Sequence, residues 1–128
     1  MIDSTSTGTA PGPTAARRAL AFAGAVVAAA SVALSAYASH VAGGAGQMAL
    51  LVGAAIGFGH GLALAALSGQ ARRRVALYAL VAMLAGALLF SGGLAVAHFT
   101  GVAARTAPFG GSLLIAAWLA WAVDTLRK

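Results

Sequence analysis

Gln47–Ser68 reads QMALLVGAAIGFGHGLALAALS, and Gly69-Gln70-Ala71-Arg72-Arg73-Arg74 follows it directly. The stretch carries no acidic or basic charge. It is also long enough for an α-helix to cross the ~30 Å hydrocarbon core of a bilayer, which takes ~20 residues. Its sharp end on three arginines fits a helix leaving lipid for the headgroups. The same pattern recurs on either side, at Ala19–Ser39, Val75–Phe99 and Thr106–Val123. The sequence therefore predicts an all-α fold: a four-helix transmembrane bundle, up-down-up-down, with spans of about 19–39, 47–68, 75–99 and 106–123 in a membrane domain of residues 19–128.

Composition points the same way. Hydrophobic residues make up 61% of the chain and charged residues 8%, far from the usage of soluble domains. Two acidic and eight basic side chains could not cover so much apolar surface in water, whereas lipid tails accept it. There is no cysteine, which excludes disulfides, thiolate metal sites and thiol catalysis. The net charge of +6 is not a nucleic-acid signature. Arg17, Arg18, Arg72, Arg73, Arg74, Arg105, Arg127 and Lys128 all flank apolar runs rather than forming a stripe. The partners expected are the bilayer and other membrane subunits, with no nucleic acid.

Those flanking charges predict the threading. With both termini cytoplasmic, only Arg105 lies outside, so the positive-inside rule favours N-in/C-in. Arg17, Arg18, Arg72, Arg73, Arg74, Arg127 and Lys128 would then set topology and meet lipid headgroups. Trp118 and Trp121 would form a cytoplasmic aromatic belt, with Tyr78 close to that side and Tyr37 at the outer one. Residues 1–18, rich in Ser, Thr, Gly and Pro, read as a disordered polar cytoplasmic tail. The rival reading is a signal peptide over residues 1–38, with Arg17-Arg18 as its basic region and Ala36-Tyr37-Ala38 as a cleavage site.

Membrane helices associate through close backbone approach at small residues. Gly53, Gly57 and Gly61 make two overlapping G-x-x-x-G motifs, and Ala21, Ala25, Ala29 and Ala33 repeat at the same interval in span one. These two faces are expected to meet as an antiparallel hairpin, with an oligomer contact as the alternative. Leu50, Leu51, Leu62 and Leu64 would turn toward lipid or other helices. Gly92, Gly110 and Gly111 are further packing candidates, and Pro108 suits the first turn of span four. Asp124 is expected in a surface ion pair with Arg127 or Lys128.

Four phrases also form a recognisable pattern. They are Ser35-Ala36-Tyr37-Ala38-Ser39-His40, Gly59-His60-Gly61-Leu62-Ala63-Leu64, Leu89-Phe90-Ser91-Gly92-Gly93-Leu94, and Thr106-Ala107-Pro108-Phe109-Gly110-Gly111 leading to Trp118. Over about residues 19–125 the chain resembles the domain-of-unknown-function family numbered 423, small bacterial inner-membrane proteins with a eukaryotic transmembrane relative. The resemblance implies four membrane helices and a multi-pass protein of the bacterial plasma membrane; it implies no reaction. The chain departs from the pattern at Ile56 and Gly57, where the family carries tyrosine and glutamine. It also departs in a shortened first outer loop and in the extra Ala107.

Ionisable groups within spans are the natural functional candidates. No carboxylate lies inside any span except Asp124 at a span end, which leaves proton-coupled antiport without a carrier. His60 falls deep in span two, roughly 20 Å from its outer end at 1.5 Å per residue. It is read as polar glue bonded to a serine or a backbone carbonyl, with ligand binding or proton relay as the alternative. His40 and His98 share an outer depth, but two imidazoles make a weak metal or haem site. Ser35, Ser39, His40, Ser91, His98, Thr106 and Ser112 all map to the outer half. They predict an outward-facing polar crevice between spans one, three and four, with His60, His40, Ser91, Ser35 and Thr106 as candidate ligand or polar-packing residues. The alternative is that each serine bonds back to its own helix. No catalytic residue, metal site or cofactor is expected. The leading functional expectation is a non-enzymatic accessory or scaffold subunit; the alternative is binding or carrying a small lipophilic or weakly polar ligand.

Overall fold

A computed structural model describes residues 13–127. The chain folds into four rods: α1 (Pro13–His40), α2 (Gly44–Leu67), a third rod in two parts, and a last helix. The third rod is α3 (Arg74–Ala87) and α4 (Gly93–Thr100), joined by a π-helical turn at Leu88–Gly92. The last rod is α5 (Ala107–Thr125), and a 3-10 turn at Ser68–Gln70 extends α2. There is no strand among the described residues. Thr14–His40, Gly44–Gln70, Arg74–Thr100 and Ala107–Thr125 are each long and apolar enough to cross a membrane.

One boundary differs from expectation. Residues 13–18 belong to α1 rather than to a tail. A proline at the first helical position lacks only an N–H that would have no partner there. Ala15, Ala16, Arg17 and Arg18 then favour helix intrinsically. Residues 1–12 of the expected tail, and Lys128, lie outside the described residues.

The rods pair through glycine. α1 and α2 cross where Gly24 faces Gly61: a methyl on either would lie 2.6 Å from the other's carbonyl oxygen. The hairpin between spans one and two therefore forms, but through a different face of α1. Gly24, Ala28 and Ser31 meet α2, while Ala25, Ala29 and Ala33 are exposed. In an alanine-rich helix every face is small, so the one position without a Cβ decides which face comes closest. α3 and α5 repeat the device, with a methyl on Gly110 falling 2.5 Å from the Phe90 nitrogen and 2.7 Å from the Gly86 oxygen. At the far end of the first hairpin, Gln47 Nε2 donates to the Ala38 carbonyl at 2.9 Å. Gly101, at φ +72°, closes α4 in the left-handed conformation that glycine adopts freely.

The core is lopsided. Leu20, Leu64, Ala71, Ala76, Leu80, Met83, Ala87, Leu114, Ala117 and Trp121 pack together toward the end carrying Arg72–Arg74. At the opposite end no residue of α4 is buried. Leu50 and Leu64 are enclosed, Leu51 is half-buried and Leu62 is exposed. Phe22, Val26, Val81, Ile115 and Leu119 point outward, as helices surrounded by lipid allow.

Candidate functional site

His60 lies two-thirds of the way along α2, toward the arginine end. Its Nδ1 lies 2.7 Å from the Ile56 carbonyl, one turn back. Trp118 Nε1 on α5 donates to His60 Nε2 across 3.0 Å. An indole N–H only donates, so Nε2 must accept and Nδ1 must carry the proton toward Ile56. Both ring nitrogens are engaged and the imidazole is neutral in this tautomer. The expected carbonyl partner is present; the indole partner is the one the sequence reading missed. Trp118 is thereby held to α2 through its indole N–H. It sits about two turns from the end of α5, roughly 10 Å along the axis, level with His60. Trp121, one turn further on, is buried in the core.

Gly57 marks a second polar point. A methyl there would collide with the Ser31 hydroxyl and lie 3.1 Å from that of Ser91. Two hydroxyls from two helices thus converge on one absent side chain. Ser31 is buried, and Ser91 Oγ is enclosed with no hydrogen-bond partner among the described residues. Gly53, one turn away, faces Leu94.

The expected crevice does not form as one space. Ser35, Ser39 and His40 line a groove of about 620 Å³ between α1 and α2. Ser91, with Ser31, lines a second of about 300 Å³ between α1 and the third rod. Thr106 belongs to a third beside α4. Ser39 and Ser112 bond back to the carbonyls of Ser35 and Pro108, each at 2.9 Å. The division follows from the pairing, because α5 packs on α3 and the π turn while α1 packs on α2. His98 meets the edge of Tyr37, ring centres 6.0 Å apart, and covers Gly46. His40 opens instead onto the α1–α2 groove.

The π turn explains why two of the quoted phrases occur together. Thr106 Oγ1 donates to the Leu89 carbonyl at 3.0 Å, within the turn. The Thr106 hydroxyl also occupies the space a side chain on Gly93 would need. Gly110 brings the α5 backbone onto Phe90, and Gly111 faces the Phe90 ring at 3.7 Å. Gly92 has nothing within 4 Å of its missing Cβ, so the expected packing contact at this glycine is not made.

Comparison of the chain with protein-family models, curated proteins and solved structures finds no match.

At the arginine end, Arg18, Arg72, Arg73, Arg74 and Arg127 are exposed and Arg17 is half-buried. Arg73 Nη2 donates to the Arg127 carbonyl at 2.5 Å. Asp124 corrects the sequence reading. It is 2% exposed, and its Oδ1 has no hydrogen-bond partner among the described residues. The cause is helical phase: Ala107, Gly110, Leu114, Ala117, Trp121 and Asp124 share the buried face of α5.

Proposed function

We propose that this is a non-enzymatic multi-pass protein of the bacterial plasma membrane, with both termini cytoplasmic, acting as an accessory or scaffold subunit beside another membrane helix. The observation that carries this reading is the outward-facing ladder Ala25, Ala29, Ala33 on α1. Four-residue repeats of small side chains let a second helix approach closely, which is how helices associate in lipid. The bundle does not use that face for itself. Engagement of both His60 nitrogens supports a structural role for this histidine rather than proton transfer. The arginine distribution supports the orientation. Membership of the family numbered 423 is part of the same proposal, supported by the packing of the Leu89–Leu94 phrase on the Thr106–Gly111 phrase.

Because the chain has no cysteine, single cysteines at positions 25, 29 and 33 test the proposal in native membranes. Oxidative or bifunctional cross-linking should give a discrete protein adduct at these positions and not at Val81 or Ile115. Equal yields at all five positions would overturn it.

A second reading, binding of a small lipophilic ligand, is favoured by the unpartnered Ser91 hydroxyl in the groove between α1 and the third rod. Retention of such a molecule through gentle purification, and its loss in Ser91→Ala, would support this reading over the first.

A further inference from the structure

The end of α5 holds a feature that neither reading uses. A cavity of about 350 Å³ is lined by Gly69, Gln70, Arg72, Arg73 and Asp124. Its walls come from the turn ending span two, the turn before α3 and the last turn of α5. All three mark where the rods pass from lipid to headgroups. Asp124 is almost wholly enclosed, and its Oδ1 bonds to neither arginine of the same cavity. A buried carboxylate with one oxygen unpartnered among the described residues is costly, and the charge that best offsets it is a cation able to donate hydrogen bonds. The two arginines lining the same cavity ask for the opposite: an anion that can offer two oxygens to the planar guanidinium fork, such as phosphate. Arg73 is tethered through one N–H to the Arg127 carbonyl, which holds it across the span ends while its other N–H groups remain.

We propose that this cavity binds the headgroup of a phospholipid bearing a primary ammonium, with phosphate on Arg72 and Arg73 and the ammonium on Asp124. Side by side, one acidic and two basic groups match a ligand carrying both charges. A quaternary ammonium has no N–H to give Asp124, and a glycerol headgroup has no positive charge. The site therefore discriminates among headgroups of similar size, beyond the general attraction of arginines for acidic lipid. The inference rests on the chain spanning the bilayer, so co-flotation of the full chain with vesicles is measured first. Failure there would count against the membrane reading rather than against the headgroup assignment.

The decisive experiment reconstitutes delipidated protein in equimolar phosphatidylethanolamine, phosphatidylcholine and phosphatidylglycerol with identical acyl chains, then quantifies the lipid retained by native mass spectrometry. One charge-assisted hydrogen bond corresponds to about tenfold in retention. Wild type should therefore favour the ethanolamine lipid by about that factor over each competitor. Asp124→Asn should bring the ethanolamine-to-choline ratio close to one, and R72Q together with R73Q should lower retention of all three. Should Asp124→Asn fail to fold, stepwise N-methylation of the ethanolamine lipid asks the same question of wild type, and retention should fall as N–H groups are lost. Equal retention of ethanolamine and choline lipids by wild type would overturn the proposal, as would an unchanged preference in folded Asp124→Asn. Displacement of the lipid by millimolar glycerophosphoethanolamine or inorganic phosphate would reassign the site to a soluble phosphate compound, and so overturn the lipid assignment.

Discussion

Trp118 on α5 and His60 on α2 are joined by a hydrogen bond of 3.0 Å on an exposed side of the bundle, within its apolar length. It ties together two rods whose main packing partners lie elsewhere, α1 for α2 and α3 for α5. The bond therefore links the two helix pairs rather than reinforcing either. Trp118→Phe keeps the aromatic bulk and removes the N–H. We expect it to cost about 1 kcal/mol, near the upper range for hydrogen bonds between membrane helices. His60→Ala should remove the same coupling, so the double variant should cost less than the two singles together. Unfolding titrations in mixed micelles measure this cycle; strict additivity would mean the bond contributes nothing.

Gly61 and Gly59 lie two residues apart on α2 and should respond oppositely to alanine. At Gly61 the new methyl would press on the Gly24 carbonyl, and overpacking of this kind costs ~1–3 kcal/mol. At Gly59 nothing lies within 4 Å of the added carbon. Alanine is the better helix former there and should stabilise by up to ~1 kcal/mol. The same titrations read both, and equal effects would contradict the crossing at Gly24–Gly61.

Gly57→Ala should destabilise by driving a methyl into the Ser31 hydroxyl, and Ser31→Ala should make room for it. The expected outcome is partial rescue, with the double variant more stable than Gly57→Ala alone. Melting of the purified bundle followed by far-ultraviolet circular dichroism tests this. Absence of rescue would place the clash elsewhere.

Thr106→Val preserves shape and removes the donor to the Leu89 carbonyl. The Leu89 carbonyl keeps the Gly93 N–H as a donor, so the loss is of one hydrogen bond and should cost about 1 kcal/mol, expressed locally. Amide hydrogen exchange should accelerate around residues 88–93 and stay unchanged in α2, while Thr106→Ser should behave as wild type. Uniform acceleration throughout the chain would show that the hydroxyl supports the whole bundle and not the π turn.

The spans were legible because one solvent, lipid, dictates both their length and their composition. The glycine ladder Gly53, Gly57, Gly61 was legible as an interface for the same reason. Its partner face was harder to read, since alanine recurs all round α1 and Gly24 stands out only once the two backbones are seen to touch. The bond from Trp118 to His60 was not legible, because counting from a span end gives depth and not neighbours. Asp124 lay near Arg127 and Lys128 in sequence, which suggested a surface pair. Yet its spacing from Ala117 and Trp121 already placed it on the face that α5 buries. The π turn left no periodic trace in Leu88–Gly92, and only Thr106 bonded to Leu89 shows how its backbone is accommodated. The outer hydroxyls were visible one by one, but their division among three grooves depends on which helices pair.

The unequal filling of the bundle has a mechanical consequence. Side chains interlock near the arginines and thin out toward Gly44 and Gly101, so the molecule behaves as a wedge clamped at one membrane surface. Lateral pressure or bilayer thinning in the other leaflet will strain the sparser contacts there, such as Gln47 on Ala38 and His98 on Tyr37, before it disturbs the clamp.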